Sequence, residues 1–234
     1  MNFKSHIPNF ITVLNLISGS FAVILLFRGC LTEAALFIGL AAVLDFLDGF
    51  VAKLLNAKSI IGKELDSLAD VVSFGLVPAL FLFMLMENSV RDNASNLSNA
   101  IPYISLAIAG FSALRLAKFN IDTRQTVSFL GLPTPANAIL IISFVIVASY
   151  SKDSAIGMLF SNTILQVIVV FISCYLLVSE IPMFSLKFKT FGLKGNEIRY
   201  AFLLISAALI IGLGWVGIFF TIIVYIVMSL IFNH

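Results

Sequence analysis

Apolar runs long enough to cross a bilayer recur along almost the whole of this chain, and they leave few folds open to it. A helix needs roughly 20 mostly apolar residues to span the hydrocarbon core, and inside lipid the backbone must satisfy its own hydrogen bonds. Such runs occupy 9–28, 32–54, 66–86, 100–118, 134–150, 161–181, 199–213 and 215–232. With 60% hydrophobic and only 11% charged residues in 234, a water-soluble domain is excluded. The expected fold is all-α: a polytopic integral membrane bundle of about eight transmembrane helices. One membrane domain over 1–234 is expected, with a six-helix core in 1–181 and a basic loop plus two further helices in 182–234. The division of the last two spans rests on the Gly-Leu-Gly-Trp sequence at 212–215. No internal repeat, low-complexity segment or separate soluble domain is visible.

The basic residues orient the bundle. Threading eight spans puts Lys4, Lys53, Lys58, Lys63, Arg115, Lys118, Arg124, Lys187, Lys189, Lys194 and Arg199 on one side. Only Arg28, Arg91 and Lys152 fall on the other. Cytoplasmic loops carry the excess of Lys and Arg, so the first side is read as cytoplasmic, with both termini there. Clustered basic loops on that side also suit anionic headgroups. The first apolar run is too long and too poorly flanked for a cleaved signal peptide and is read as a retained span. Cys30 and Cys174 lie far apart at different expected depths and form no disulfide framework and no metal pattern. The polar stretch 87–99 reads as an outer loop, and its sequons at Asn93 and Asn96 carry no weight.

Against this apolar background stand four aspartates, Asp45, Asp48, Asp66 and Asp70. A charge within a membrane segment costs at least about 2.5–3.5 kcal/mol on insertion scales and marks a pathway, a partner or a metal. Spaced i,i+3 and i,i+4, each pair faces one way on its helix. All four fall at the cytoplasmic ends of spans 2 and 3. A turn over 54–65 brings the two faces together. Carboxylates that close repel unless neutralised, and hard divalent cations such as Mg²⁺ take oxygen ligands and bridge to substrate phosphates. Gly49, Ala52 and Gly62 remove bulk beside the carboxylates, so a flat base or a diphosphate can approach the backbone, and Lys53 adds a cation. Plain interfacial ion pairs with Lys53, Lys58 and Lys63 would explain one or two carboxylates, not four at this spacing. Asn9, Thr12 and Asn15 lie on roughly one face of the first span. They serve either helix packing or contact with the diphosphate and metal-bound water. Arg115, Lys118 and Asn120 close the fourth span, where anchoring alone accounts for the cations.

The pattern Asp45-x2-Asp48-Gly49-x2-Ala52-Lys53-x8-Gly62-x3-Asp66-x3-Asp70 resembles the signature of the CDP-alcohol phosphatidyltransferases. Its one departure is Lys53, where the family usually carries arginine; lysine keeps the charge and loses the planar fork. The resemblance implies a membrane enzyme that moves a phosphatidyl group from a CDP-linked lipid to an alcohol and releases CMP. It implies a two-metal site (Mg²⁺ or Mn²⁺) on Asp45, Asp48, Asp66 and Asp70, with Asp70 also the general base. Gly49, Ala52, Lys53, Gly62, Asn9 and Thr12 then contact the CDP-lipid. Residues 7–22, 66–79, 114–120 and 129–138 are similar to the membrane-integral phosphatidylserine synthases within the family. That implies CDP-diacylglycerol and L-serine as substrates, with Arg115, Lys118, Asn120 and Ser128 near the acceptor carboxylate or lipid phosphate. It further implies a homodimer in a bacterial cytoplasmic membrane, with no nucleic-acid partner. The competing readings are a relative with another acceptor, such as glycerol 3-phosphate or inositol, and a cation transporter. The transporter reading calls for acidic residues near the midplane and interrupted helices in repeated halves, and the sequence has neither.

Overall fold

The computed structural model describes residues 6–57, 59–92, 99–121, 129–184, 192 and 195–232. Four helical stretches in it are long and apolar enough to cross a membrane: His6–Phe27 (α1), Leu31–Leu54 (α2), Ile60–Arg91 and Ile101–Ile121. The third comprises α3 (Ile60–Asp70), a π-helical turn (Val71–Leu76) and α4 (Val77–Asp92). The fourth comprises a 3₁₀ turn (Ile101–Leu106) and α5 (Ala107–Ile121). Shorter helices follow: α6 (Thr134–Tyr150), α7 (Ala155–Phe160), α8 (Thr163–Val178), α9 (Glu197–Leu213) and α10 (Trp215–Ile231). The chain is an integral membrane protein. Phe10, Phe46, Leu54 and Ile121, each well over half exposed, belong to the apolar surface that such a bundle turns to lipid.

Local chemistry sets the breaks. Gly29 adopts φ +77° between α1 and α2, and Gly214, at φ +56°, separates α9 from α10, inside the sequence where the division was expected. Gly217 then lets the two last helices touch, since a Cβ there would lie 1.9 Å from the Leu209 carbonyl oxygen. α9 and α10 have 17 residues each, about 25 Å of helix, slightly short of the hydrocarbon thickness. Two boundaries differ from the sequence expectation: the stretch 87–99 reads as an outer loop, whereas α4 continues to Asp92, and the link after α2 is shorter than expected. The sequence places a turn over 54–65, whereas helix resumes at Ile60. Lys63, Glu64 and Asp66 keep its first half from registering as an apolar run, but Ser59 caps it by accepting the Gly62 N–H at 2.9 Å.

The order of packing places the aspartates. α1 runs antiparallel to α2 and parallel to α3. Ser18 Oγ on α1 donates to the Phe37 carbonyl of α2 at 2.7 Å. Gly19 lies so close to the π turn that a Cβ would stand 2.3 Å from Ser73 Oγ. On the other flank Gly75 packs on Ser112 of α5, with 3.1 Å between its would-be Cβ and the Ser112 Cβ. α6 is the central helix, buried at nearly every position from Asn137 to Ala148. α10 packs beside it, and Phe219 meets Phe144 and Phe160 at centroid distances of 6.1 and 5.0 Å. A two-residue strand pair, β1 (Phe129–Leu130) with β2 (Pro182–Met183), is antiparallel with Phe129 opposite Met183. Gly131, at φ +73°, threads beside the end of α8, its N–H bonded to the Ile181 carbonyl at 2.8 Å.

Candidate active site

Asp45 and Asp48 lie on one face of α2 near its end, and Asp66 comes from the middle of α3. One carboxylate oxygen from each falls within 4.8 Å of the other two. The i,i+3 spacing aligns the first pair, and the short link from Leu55 to Ser59 folds Asp66 back against it. Three carboxylates this close repel strongly where water is scarce. The donor set is all hard oxygen, the chemistry of Mg²⁺ or Mn²⁺ sites. Asp66 Oδ1 is buried with no hydrogen-bond partner, so a lone-pair site is left for a cation. The residues fit a divalent metal. Asp70 stands outside the triad, one turn further along α3 and only 6% exposed.

α1 holds two of these carboxylates from one face. Thr12 Oγ1 donates to Asp48 Oδ2 at 2.5 Å, with the Pro8 carbonyl as a second acceptor at 3.1 Å. Asn15 Nδ2 donates to Asp70 Oδ1 at 3.3 Å. Ser73 Oγ in turn donates to the Asn15 carbonyl at 3.2 Å, so the π turn directly after Asp70 is fastened to the residue that supports Asp70.

Beside the triad opens a cavity of about 350 Å³ whose walls include Asn9, Thr12, Asp48, Gly49, Ala52, Gly62 and Asp66. A Cβ on Gly49 would meet nothing within 4 Å, which agrees with free space beside the carboxylates. Gly62 acts differently. A Cβ there would meet Asn9 Oδ1 and Ser59 Oγ, each at 2.9 Å, so this glycine makes room for Asn9 and for the helix cap. Lys53 is exposed and off the cavity wall. Lys63 lines the wall instead, its Nζ donating to the Asn120 carbonyl at 2.6 Å. In the sequence Lys63 is one of three cations around the turn, and its i,i+3 spacing to Asp66 puts it on the same face.

α5 closes the site from the far side of α3. Asn120 Nδ2 donates to Ser67 Oγ at 2.9 Å, and Ser112 faces Gly75. This antiparallel register sets the buried Arg115 level with the turn around Asp70. Lys118 is exposed, Asn120 ties helices together without lining the cavity, and Ser128 lies outside the described residues. A larger cavity, about 640 Å³, sits at the opposite end of the bundle, between Gly29, Asn88, Tyr150 and Lys152. No carboxylate lines it, and it has no part in this chemistry.

Comparison with known proteins points the same way. The CDP-alcohol phosphatidyltransferase family profile matches residues 5–227. A CDP-diacylglycerol–serine O-phosphatidyltransferase of Bacillus subtilis is 37% identical over 142 residues, covering 60% of this chain and 76% of its own length. An enzyme of the same name from Methanocaldococcus jannaschii is 36% identical over 154 residues, 65% of this chain and 67% of its own. An archaetidylserine synthase of Methanothermobacter thermautotrophicus is 31% identical over 167 residues, 69% of this chain; the chain spans 66% of that relative's length.

Proposed function

Because this chain belongs to the CDP-alcohol phosphatidyltransferase family, we propose that it transfers the phosphatidyl group of CDP-diacylglycerol to the hydroxyl of L-serine and releases CMP. The observation that carries the reading is the Asp45–Asp48–Asp66 triad at the mouth of a small-residue cavity, with Asp70 one turn deeper. The names of the relatives supply serine as the acceptor.

In this reading Asp45, Asp48, Asp66 and Asp70 hold two divalent cations, Mg²⁺ or Mn²⁺, which when bound offset the negative charge of the diphosphate. Thr12 fixes the Asp48 carboxylate, and Asn15 fixes that of Asp70. Asp70 accepts the proton of the serine hydroxyl as its oxygen bonds to the lipid-side phosphorus. The bond from that phosphorus to the bridging oxygen breaks, and CMP departs with the electron pair. Gly49 and Ala52 let the nucleotide lie against the end of α2, where Asn9 and Lys63 border the same cavity. Lys53 meets the CDP-lipid at the headgroup surface, and Arg115, with Lys118, Asn120 and Ser128 nearby, receives the acceptor carboxylate or lipid phosphate. The protein is proposed to cross a bacterial cytoplasmic membrane eight times as a homodimer, with the aspartates and both termini on the cytoplasmic side. The catalytic core is 1–181, and α9 and α10 form the added C-terminal pair.

CMP release from purified protein given CDP-diacylglycerol, a divalent cation and a panel of alcohols tests this. Release with serine is expected; release with glycerol 3-phosphate and none with serine would refute it. Asp70→Asn is expected to lose at least about 10²-fold in turnover with an unchanged melting temperature, and retained activity removes Asp70 as the base.

A further inference from the structure

We propose that Asn15 reads the ammonium group of the acceptor, and so selects an amino-alcohol over the same carbon skeleton without nitrogen. The inference rests on the serine reading above and adds a residue to it. Asn15 is fully buried. Its Nδ2 is engaged by Asp70 at 3.3 Å, while its Oδ1 is buried with no hydrogen-bond partner. A carbonyl oxygen left bare in a protein interior is costly, and buried side-chain amides normally find partners for both ends. The bond to the Asp70 carboxylate sets which end of the amide faces it, and Ser73 bonded to the Asn15 backbone carbonyl, with Gly19 letting α1 press against that serine, holds the helix at this place. The bare acceptor is thus fixed beside the carboxylate assigned to deprotonate the hydroxyl.

Serine carries three polar groups on neighbouring carbons, and the site has one unspent partner for each. The hydroxyl proton goes to Asp70. The carboxylate suits Arg115, level with that turn on the opposite flank and with a buried, unpartnered Nε. The ammonium has donors only and needs an acceptor. The triad carboxylates are committed to metal, and Asp70 is committed to metal and to the hydroxyl proton. Asn15 Oδ1 is the acceptor that remains: it accepts without competing for the proton being transferred.

The test compares kcat/KM for serine and for 3-hydroxypropionate, which keeps the hydroxyl and carboxylate and lacks the amine. The wild type should prefer serine by about 10- to 100-fold, the worth of a hydrogen bond to a charged group. Asn15→Leu, alike in branching and without polar atoms, should bring that ratio close to unity, whatever it does to absolute rates through Asp70. Asn15→Asp keeps Oδ1 and loses the donor to Asp70. It should turn over more slowly yet still prefer serine. A folded Asn15→Leu protein that keeps the wild-type ratio overturns the proposal, as does a wild type without a preference. Should the leucine variant not fold, an Asn15→Asp ratio near unity overturns it equally. Absence of CMP release with serine in the wild type instead refutes the underlying serine reading, so the two failures are distinguishable.

Discussion

A methyl group at position 19 is the sharpest probe of how this site is held. Gly19 sits in α1 one turn beyond Asn15, against the π turn that follows Asp70. A Cβ built there would lie 2.3 Å from Ser73 Oγ, 2.9 Å from Ser73 Cα and 3.0 Å from Ser73 Cβ. The hydroxyl can rotate away, but the backbone carbon cannot. Carbon–carbon contacts settle at about 3.5–4.0 Å, so α1 and the π turn must part by about 0.6–1 Å. Two hydrogen bonds cross this seam, Ser73 to Asn15 at 3.2 Å and Asn15 to Asp70 at 3.3 Å. Both are already near the long limit for a hydrogen bond, so the same displacement breaks them. Overpacking of this kind costs about 1–3 kcal/mol, and displacing a reacting group by 1 Å can cost about 10²-fold in rate. Gly19→Ala should therefore melt several degrees lower in detergent and release CMP about 10- to 100-fold more slowly. Gly39→Ala is the control: it lies in α2 with nothing within 4 Å of its would-be Cβ. Replacing glycine by alanine in an open helix position favours the helix by up to about 1 kcal/mol, so the control should be neutral or slightly stabilised. Gly19→Ala indistinguishable from Gly39→Ala in both melting and turnover would refute the reasoning.

Thr12→Val keeps the shape of the side chain and deletes the donor to Asp48. Because groups that orient metal ligands are worth about 10- to 100-fold in metal affinity, the divalent concentration for half-maximal CMP release should rise by that factor; an unchanged metal dependence would count against the triad as a metal site. Gly131→Ala places a Cβ at φ +73° within 2.8–3.0 Å of the carbonyl oxygens of Leu177, Ser179 and Leu176. A cost of about 1–3 kcal/mol follows, read as a lower melting temperature, and a variant as stable as wild type would show that the link into α6 is free to rearrange.

Much of this site was legible before the fold was known, for a local reason. Whether Asp45 and Asp48 share a face depends only on helical periodicity, and the same holds for Asp66 and Asp70. The small residues at 49, 52 and 62 follow from that geometry. The choice between Lys53 and Lys63 does not. They are two similar cations on either side of one turn, and which of them borders the cavity depends on how α3 is rotated against α2. That rotation is set by the Ser59 cap and by a turn shorter than apolar patterning suggested. Gly62 shows the same limit: its need to be small was visible, but the neighbour it accommodates, Asn9, is 53 positions away in sequence.

By itself the sequence determined a helical membrane protein with four carboxylates gathered at one end, because apolar run length and helical periodicity are properties of contiguous residues. Only the tertiary structure decided that Asp45, Asp48 and Asp66 converge while Asp70 stands apart. It alone paired Thr12 with Asp48 and Asn15 with Asp70, and set Arg115 level with the turn around Asp70. Those relations join residues tens of positions apart. They depend on how closely whole helices approach, and that distance is set by packing at contacts such as Gly19 against Ser73 and Gly75 against Ser112.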